Sequence, residues 1–514
     1  MKTGFRILLL SFFVVTRLFS QDDDGIVRVE FDARADVFQL VPCGEKGVLM
    51  FYESIKQIDQ SNKAWICLFY DINLNPLWSK EIPVLKDLSY IDFYVYENDV
   101  YLAFQNLTKS RIDEYNFQLV KINLFDSGFE IKSIFIPEKA DLVNFEVTGN
   151  TFVGGFNYFR DEAIVIIKNL TNDEEKIVKF TGQPSFIKNI RFNPLAAQVY
   201  VAVNIYQERK QSAIYLNGYD FNGSLQTSIL VTPARESEKL MNAQINFQSS
   251  DEIYILGSFN NLNGKLSKTD EASQGEESEG FYIAKIQNGE QKFIKLHRLV
   301  DFKNITQILN NEQLQSVNSD LKKSKKKGIE STLYYELLIH DLIKNGDDFV
   351  MLAEAYYPEY HQVSTMSYDF YGRPMPYYYT VFDGYRYFNA FVAGLNTSGD
   401  LTWSNGIKIW DVTSFNLQKK VEVFFDAGES VLFYNHEGKI VSKVMSGYED
   451  IGEVEHTKIA TRFPEDFQME ATQGMVKHWY GNFFVAYGYQ TLKNNTLGGG
   501  SKRRVFYFNK VIFN

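Results

Sequence analysis

Val48-Leu49-Met50-Phe51, Val100-Tyr101-Leu102-Ala103, Phe152-Val153-Gly154-Gly155 and Val199-Tyr200-Val201-Ala202 are four occurrences of one short apolar run. Four more follow: Ile253-Tyr254-Ile255-Leu256, Phe349-Val350-Met351-Leu352, Val431-Leu432-Phe433-Tyr434 and Phe483-Phe484-Val485-Ala486. Their starts are separated by 52, 52, 47, 54, 96, 82 and 52 residues. A spacing that returns to one value, with insertions in the two long intervals, is the signature of a repeat architecture, here of eight units.

Working outward from each run gives the rest of the unit. A second apolar strand follows, as in Ala64 to Tyr70, Phe117 to Leu124, Ala163 to Lys168, Ala213 to Tyr219, Phe281 to Ile286 and Phe391 to Leu395. Turn residues come next, such as Asn222-Gly223, Asn288-Gly289 and Ser398-Gly399-Asp400, and then a strand like Leu77 to Ile82. Short β-rich runs punctuated by Asn, Asp and Gly are hairpins. Four strands per unit predict an all-β fold, an eight-bladed β-propeller of four-stranded blades. Aromatic residues make up 16% of the chain, with 43 Phe and 32 Tyr, in keeping with strands.

The two ends fit together. The last unit finishes at Asn514 one strand short, and Ile26-Val27-Arg28-Val29-Glu30-Phe31 is a spare alternating strand. The sequence predicts that this strand completes the last blade and closes the ring. Seven blades plus a small end domain is the structural alternative. Continuously apolar strands of five to eight residues disfavour a membrane barrel, whose strands need about 9–11 with one apolar face.

Residues 1–20 read as a signal peptide: Lys2 and Arg6, the apolar stretch Ile7 to Val15, then Leu18-Phe19-Ser20 before Gln21. The expectation is an exported chain, periplasmic, on the outer cell surface or extracellular, with residues 21–514 forming a single propeller domain and no transmembrane segment. A net charge of −11 argues against nucleic acid as a partner. Cys43 and Cys67, placed two strands apart in one sheet, are expected as buried thiols rather than a bridge.

Leu395-Asn396-Thr397-Ser398-Gly399-Asp400-Leu401-Thr402-Trp403-Ser404 and Asn73-Leu74-Asn75-Pro76-Leu77-Trp78-Ser79-Lys80 resemble the repeat of exported bacterial propeller proteins. The leader ending Leu18-Phe19-Ser20-Gln21 is similar to those of the Bacteroidetes. The resemblance implies the propeller fold and adds little about activity.

Three insertions break the repeat, and loops on a rigid scaffold are where function usually sits. Lys265 to Gly280 holds Asp270, Glu271, Glu276, Glu277 and Glu279 without the spacing of a calcium loop, and reads as a solvated hairpin loop. Asp301 to Ser331 combines a short amphipathic pattern (Ile305, Ile308, Leu309, Leu314, Val317) with the basic cluster Lys322 to Lys327, and reads as a linker. Tyr356 to Phe388 carries 13 aromatic residues in 33 positions. Gly372, Arg373, Pro374 and Pro376 are expected to deny its middle regular structure. Tyrosine offers a rigid apolar face and a hydroxyl, suited to protein or glycan recognition. Tyr368, Tyr371, Arg373, Tyr377, Tyr378, Tyr379, Tyr385 and Tyr387 are the candidate ligand-binding residues, against the alternative that the loop packs on its own blade.

No catalytic, metal or cofactor constellation is legible. The six histidines lack ligand spacing, and there is no phosphate loop or nucleophile elbow. The leading expectation is a binding or scaffold propeller recognising a protein or glycan. Two alternatives stand: a carbohydrate-active enzyme with carboxylates from separate blades at the central channel, and a structural component of a cell-envelope assembly.

Overall fold

The reversal between the third and fourth strands of a unit is set by a single side chain. Asp71 Oδ1 accepts the N–H groups of Asn73 and Asn75, both at 2.8 Å. Asp220 does the same for Asn222 and Ser224, and Asn396 for Ser398 and Asp400, all within 3.0 Å. Asp and Asn favour such turns because their side chains replace backbone acceptors two residues on. Gly399 holds a φ of +77°, and a Cβ there would stand 2.6 Å from the Phe293 ring. Only glycine satisfies both conditions.

The computed structural model describes residues 19–20, 27–33, 37–107, 116–137, 139–158, 162–208, 211–261, 277–303, 305, 309, 333–368, 370–426, 428–496 and 502–513. Their strands form eight antiparallel sheets. In chain order these span residues 38–85, 89–134, 140–180, 185–231, 238–298, 336–414, 422–458 and 467–513, the last joined by 28–32. They are called the first to eighth sheets below. The eight repeated runs lie in the second strand of each sheet, from Val48–Gln57 in the first to Phe483–Lys493 in the eighth.

Those second strands are apolar on both faces because each sheet is covered on both sides. Leu49, Phe51 and Trp65 of the first sheet pack on Leu102 and Phe104 of the second. Corresponding apolar layers join second to third, third to fourth, fourth to fifth, fifth to sixth, sixth to seventh and seventh to eighth. The eighth then packs on the first, with Val485 and Phe506 against Val48, Met50 and Phe38. First strands of successive sheets approach one another, whereas fourth strands such as Glu449–Lys458 face water. The first strands therefore surround the axis, and the fold is a β-propeller.

The N-terminal strand closes it. Arg28–Asp32 pairs antiparallel with Lys502–Phe513, from Arg28↔Asn509 to Asp32↔Val505, and is the outermost strand of the eighth sheet. Arg28 anchors this strand: it pairs with Glu30 at 2.7 Å, donates to Gln490 Oε1 at 2.7 Å and lies 4.4 Å over the Tyr507 ring. Phe19 and Ser20 also pair with Phe513 and Ile512. Most of the leader stretch, residues 1–18, lies outside the described residues, as do 262–276 and most of 304–332, which hold most of the first two insertions. Ile305 and Leu309 of the second insertion are buried between the fifth and sixth sheets. Cys43 and Cys67 are both free and buried, and burial pushes the Cys43 thiol up to about 12 and the Cys67 thiol higher still.

Polar side chains join the apolar layers at fixed places. Two residues beyond the end of each repeated run stands Gln105, Asn157, Asn204, Ser258 or Glu354 in the second to sixth sheets. Gln105 donates to Ala140 C=O of the next sheet. Asn157 makes two bonds to Ile187 of the next sheet, donating to its C=O at 3.0 Å and accepting its N–H at 2.8 Å. Glu354 accepts the N–H groups of Lys420 and Val421 at 2.8 and 3.0 Å. Asn204 is the exception, fully buried with neither amide atom partnered. The first strand of the fifth sheet is interrupted between Leu240 and Gln244, and the Asn242 C=O there accepts the Tyr282 hydroxyl at 2.7 Å. The strand that Asn204 would otherwise latch has turned away.

This difference has a measurable consequence. Asn157→Leu is expected to lower stability by about 1–3 kcal/mol, because it strands two backbone groups. Asn204→Leu, with no bond to lose, is expected to be neutral or stabilising. Denaturant midpoints of the two variants compare them directly, and equal losses would show that the latch has no role.

Candidate functional site

The Tyr-rich insertion is a long β-hairpin, not an irregular loop. Asp348–Tyr368 and Pro374–Leu395 remain paired from Phe349↔Leu395 to Tyr368↔Pro374. The expectation that the prolines would break it is corrected by their place in the ladder. Ser367 Oγ donates to Met375 C=O at 2.9 Å, so Met375 directs its backbone toward the facing strand. Pro374 and Pro376 then direct theirs outward, where a missing N–H removes no ladder bond. Two register shifts, at Ala355/Tyr356 and Glu359/Tyr360, interrupt the ladder lower down, and the tip turns around Gly372, at a φ of +74°.

The lower half of the hairpin is the core of the sixth sheet, flanked by Glu336–Ile339 on one side and Leu401–Ser414 on the other. Tyr387 belongs to this half. It is 1% exposed, and its hydroxyl donates to Gln418 C=O at 2.7 Å while accepting Gln418 N–H at 2.9 Å. Tyr385 is half-buried, edge-on to Tyr356 at 5.6 Å and to Phe382 at 5.1 Å. A hydrogen bond between His361 and Asp383 at 2.6 Å and an ion pair of Arg386 with Glu359 at 3.0 Å brace the neck.

The upper half stands free of the ring. Residues of both alternations are exposed, so both faces of this two-stranded ribbon meet solvent. Tyr371 is 80% exposed and Tyr378 64%. Tyr377 and Tyr379 stack at 6.2 Å on one face, and Tyr378 lies on the other. The Arg373 guanidinium lies 5.8 Å over the Tyr371 ring. Tyr368 ends the ladder, and its side chain lies outside the described residues. The structure thus gathers Tyr371, Arg373, Tyr377, Tyr378 and Tyr379 on the projecting ribbon and assigns Tyr385 and Tyr387 to packing at its root.

A second polar assembly occupies the axis and was not read from the sequence. Arg191, on the first strand of the fourth sheet, pairs with Glu146 of the third at 2.9 Å and with Asp341 of the sixth at 3.0 Å. This bridge joins non-adjacent sheets, reaching past the fifth. Lys419, on the segment leading into the seventh sheet, stands 3.8 Å from Asp341, and Lys477 of the eighth donates to Lys419 C=O and pairs with Glu422, both at 2.9 Å. Burial opposes the charge on Asp341, but Lys419 and Arg191 outweigh it and hold the carboxyl below its ordinary range. Glu354, fully buried, accepts His340 Nε2 at 2.7 Å besides its two backbone donors. Each of these carboxylates is occupied by a cation or by backbone N–H groups, which makes the assembly a clamp. Beside this assembly, the signal the sequence did offer is an Asn that recurs within first strands, at Asn144, Asn189 and Asn246.

At the root of the hairpin, burial and the neighbouring Glu277 push the Glu336 carboxyl up to about 7. Among the described residues, no three His, Cys, Asp or Glu side chains gather as a metal site, and no helix is long and apolar enough to cross a membrane.

No family model matches the chain, and no curated protein matches it. Among solved structures it is similar to the polysaccharide lyase Uly1, at 9% identity and a TM-score of 0.40 over 82% of this chain and 89% of that one. It is also similar to the β-propeller domain of the Trilobed protease from Pyrococcus furiosus, at 8% identity and 0.33 over 82% and 98%. A 6-phosphogluconolactonase-like protein of Bacteroides fragilis matches at 9% and 0.37 over 83% and 96%. Likenesses this distant say nothing about activity.

The axial assembly yields a pH signature. Lys420, buried beside Glu354 and in contact with Met475 Sδ at 3.2 Å, is pushed down to about 8 from 10.5 by burial and by Lys477. Below pH 8 the ammonium is charged in both the folded and unfolded chain, and the penalty for burying it is fully present. Between about 8 and 10.5 the folded chain releases the proton first, and stability rises with pH. Lys420→Met is therefore expected to stabilise the protein at pH 7 by on the order of 2–3 kcal/mol, with the gain fading toward pH 10.5. Melting curves of both proteins across this range test it, and a pH-independent difference would contradict it.

Proposed function

We propose that this chain is an exported binding propeller of the Bacteroidetes type, whose ring holds the tyrosine-bearing ribbon as a recognition element for a protein or glycan partner. The observation that carries this reading is the exposed upper hairpin, an aromatic surface rooted in a rigid sheet. Exposed aromatic patches on soluble proteins mark contact sites more often than chance. Tyrosines fixed by a strand bury large area with little loss of side-chain freedom. Uncharged rings on both faces suit a flat sugar or an apolar protein patch.

The test follows the structure's own division of the hairpin. Replacing residues 361–381 with a two-residue Asn-Gly turn removes the ribbon and leaves Tyr385 and Tyr387 in place. The shortened protein is expected to keep its melting temperature and to lose retention of glycan-array ligands and of envelope proteins captured by the intact chain. Retention equal to that of the intact chain would end this assignment.

A second reading, a carbohydrate-active enzyme, is favoured by Glu336 alone, whose raised carboxyl would carry a proton near neutral pH. If it is correct, cleavage products appear in a polysaccharide screen with the intact chain and vanish with Glu336→Gln.

A further inference from the structure

The free half of the hairpin has two backbone edges, and they are unlike. The first strand of the sixth sheet accompanies the hairpin only as far as Glu336↔Tyr356. Tyr335 then departs to the fifth sheet, exchanging backbone bonds with Ser278 at 2.7 and 3.0 Å. On the other side, Leu401–Ser414 accompanies the hairpin no higher than Ser414↔Tyr385. Among the described residues, nothing pairs with the outward side of residues 360–368 or of 374–382.

The outward groups follow from the ladder. Because Met375 directs its C=O at the facing strand, the even-numbered residues of both strands direct N–H and C=O outward. On the second strand two of these are Pro374 and Pro376, which have no N–H, so that edge is blunted. On the first strand they are Tyr360, Gln362, Ser364 and Met366, all with N–H groups to donate. Open edges in natural sheets are ordinarily guarded by charge or proline. Residues 360–368 contain no Asp, Glu, Lys, Arg or Pro, in a chain where 23% of residues are charged.

We propose that a second copy of this chain occupies this open edge, its own 360–368 strand running antiparallel to the first about a twofold axis at Ser364. In that register Ser364 faces the partner subunit's Ser364, and Gln362 faces the partner subunit's Met366. The outward set is self-complementary: every N–H directed out of one strand meets a C=O directed out of the other. Each chain carries a net charge of −11, and this strip brings none of it into contact. The four-stranded sheet that results ends on both sides in the proline-blunted edge, so association closes at two rather than growing into a fibre. The Tyr377, Tyr378 and Tyr379 rings lie on the faces, not at this edge, so the inference goes beyond partner recognition and does not depend on it.

Light scattering on the full chain is expected to give a dimer. Ser364→Cys places two thiols on residues about 5.5 Å apart between Cα atoms in such a pair, within disulfide reach. The native Cys43 and Cys67 are buried and do not compete. Thr380→Cys, on the blunted edge, is the control. Mild oxidation is expected to link Ser364→Cys chains about tenfold faster or more than Thr380→Cys chains, the advantage of a pre-paired site. Ser364→Pro removes an outward N–H without touching the hairpin's own ladder and is expected to give a monomer. A monomeric unaltered chain, equal linking rates for the two cysteine variants, or a dimer that persists in Ser364→Pro would each overturn the proposal.

Discussion

The first strands around the axis present inner edges, and among the described residues the N–H and C=O groups along them have no further strand of their own sheet to receive them. Backbone groups removed from bulk water need partners, and this protein supplies them from the neighbouring sheet. Asn144 exchanges bonds with Ile190 at 2.8 and 3.0 Å. Asn189 accepts the Ile245 N–H, and Asn246 the Leu342 N–H, both at 3.1 Å. The same kind of residue thus reaches from third to fourth, fourth to fifth and fifth to sixth sheets. Bulges in the first strand at Leu142/Asn144 and Ile187/Asn189 bend the backbone enough for the amide to cross. The apolar layers hold the sheets face to face, and these amides set how each sheet is aligned on the next.

Beyond these first-strand amides, charge enters. From the sixth sheet to the eighth, Glu354, Lys419, Lys477 and Glu422 add charge to the inner contacts, beside Asn435 of the seventh sheet, which donates to Met475 C=O of the eighth at 3.3 Å. A charged latch is stronger than an amide but demands full pairing in a partly buried place. Arg191 meets that demand by reaching past the fifth sheet to Asp341, so that the third, fourth and sixth sheets and the segment leading into the seventh share one network. The sixth sheet, which carries the projecting hairpin, is tied to this network through Asp341 and Glu354.

The repeat was legible because its period is expressed in apolar runs, and burial on both faces leaves no freedom in those runs. The closing strand was legible for the same reason: Val27, Val29 and Phe31 alternate with Arg28 and Glu30, and the observed pairing keeps that alternation. The hairpin was hidden because proline and glycine break a strand or not according to the side they face, which composition does not show. Pro374 and Pro376, two apart, both direct their missing N–H outward. Their spacing, with alternating Met375 and Tyr377, was the signal that strand geometry continued. The axial network was illegible for a different reason. Arg191, Asp341 and Lys419 come from two sheets and the segment leading into a third, and no local pattern marks residues that meet only when a ring closes.

The ribbon's order has a physical source in its root. A two-stranded hairpin standing alone in water is marginal, and one carrying this many exposed rings would be expected to fray. Here the two strands leave a four-stranded sheet already in register, with Ala353 and Phe391 fully buried below. The His361–Asp383 and Arg386–Glu359 pairs hold the strands together at the point where their neighbours depart. Exposed pairs of this kind contribute little singly, but at a neck they act on the first residues that could separate. Above them the Tyr377–Tyr379 stack and the ladder continue on a backbone whose conformation is already chosen. The entropy of ordering the aromatic surface has been met largely in folding the sixth sheet, and less remains to oppose binding. The tie of that sheet to the axis and the reach of its hairpin into solvent are two ends of one rigid element.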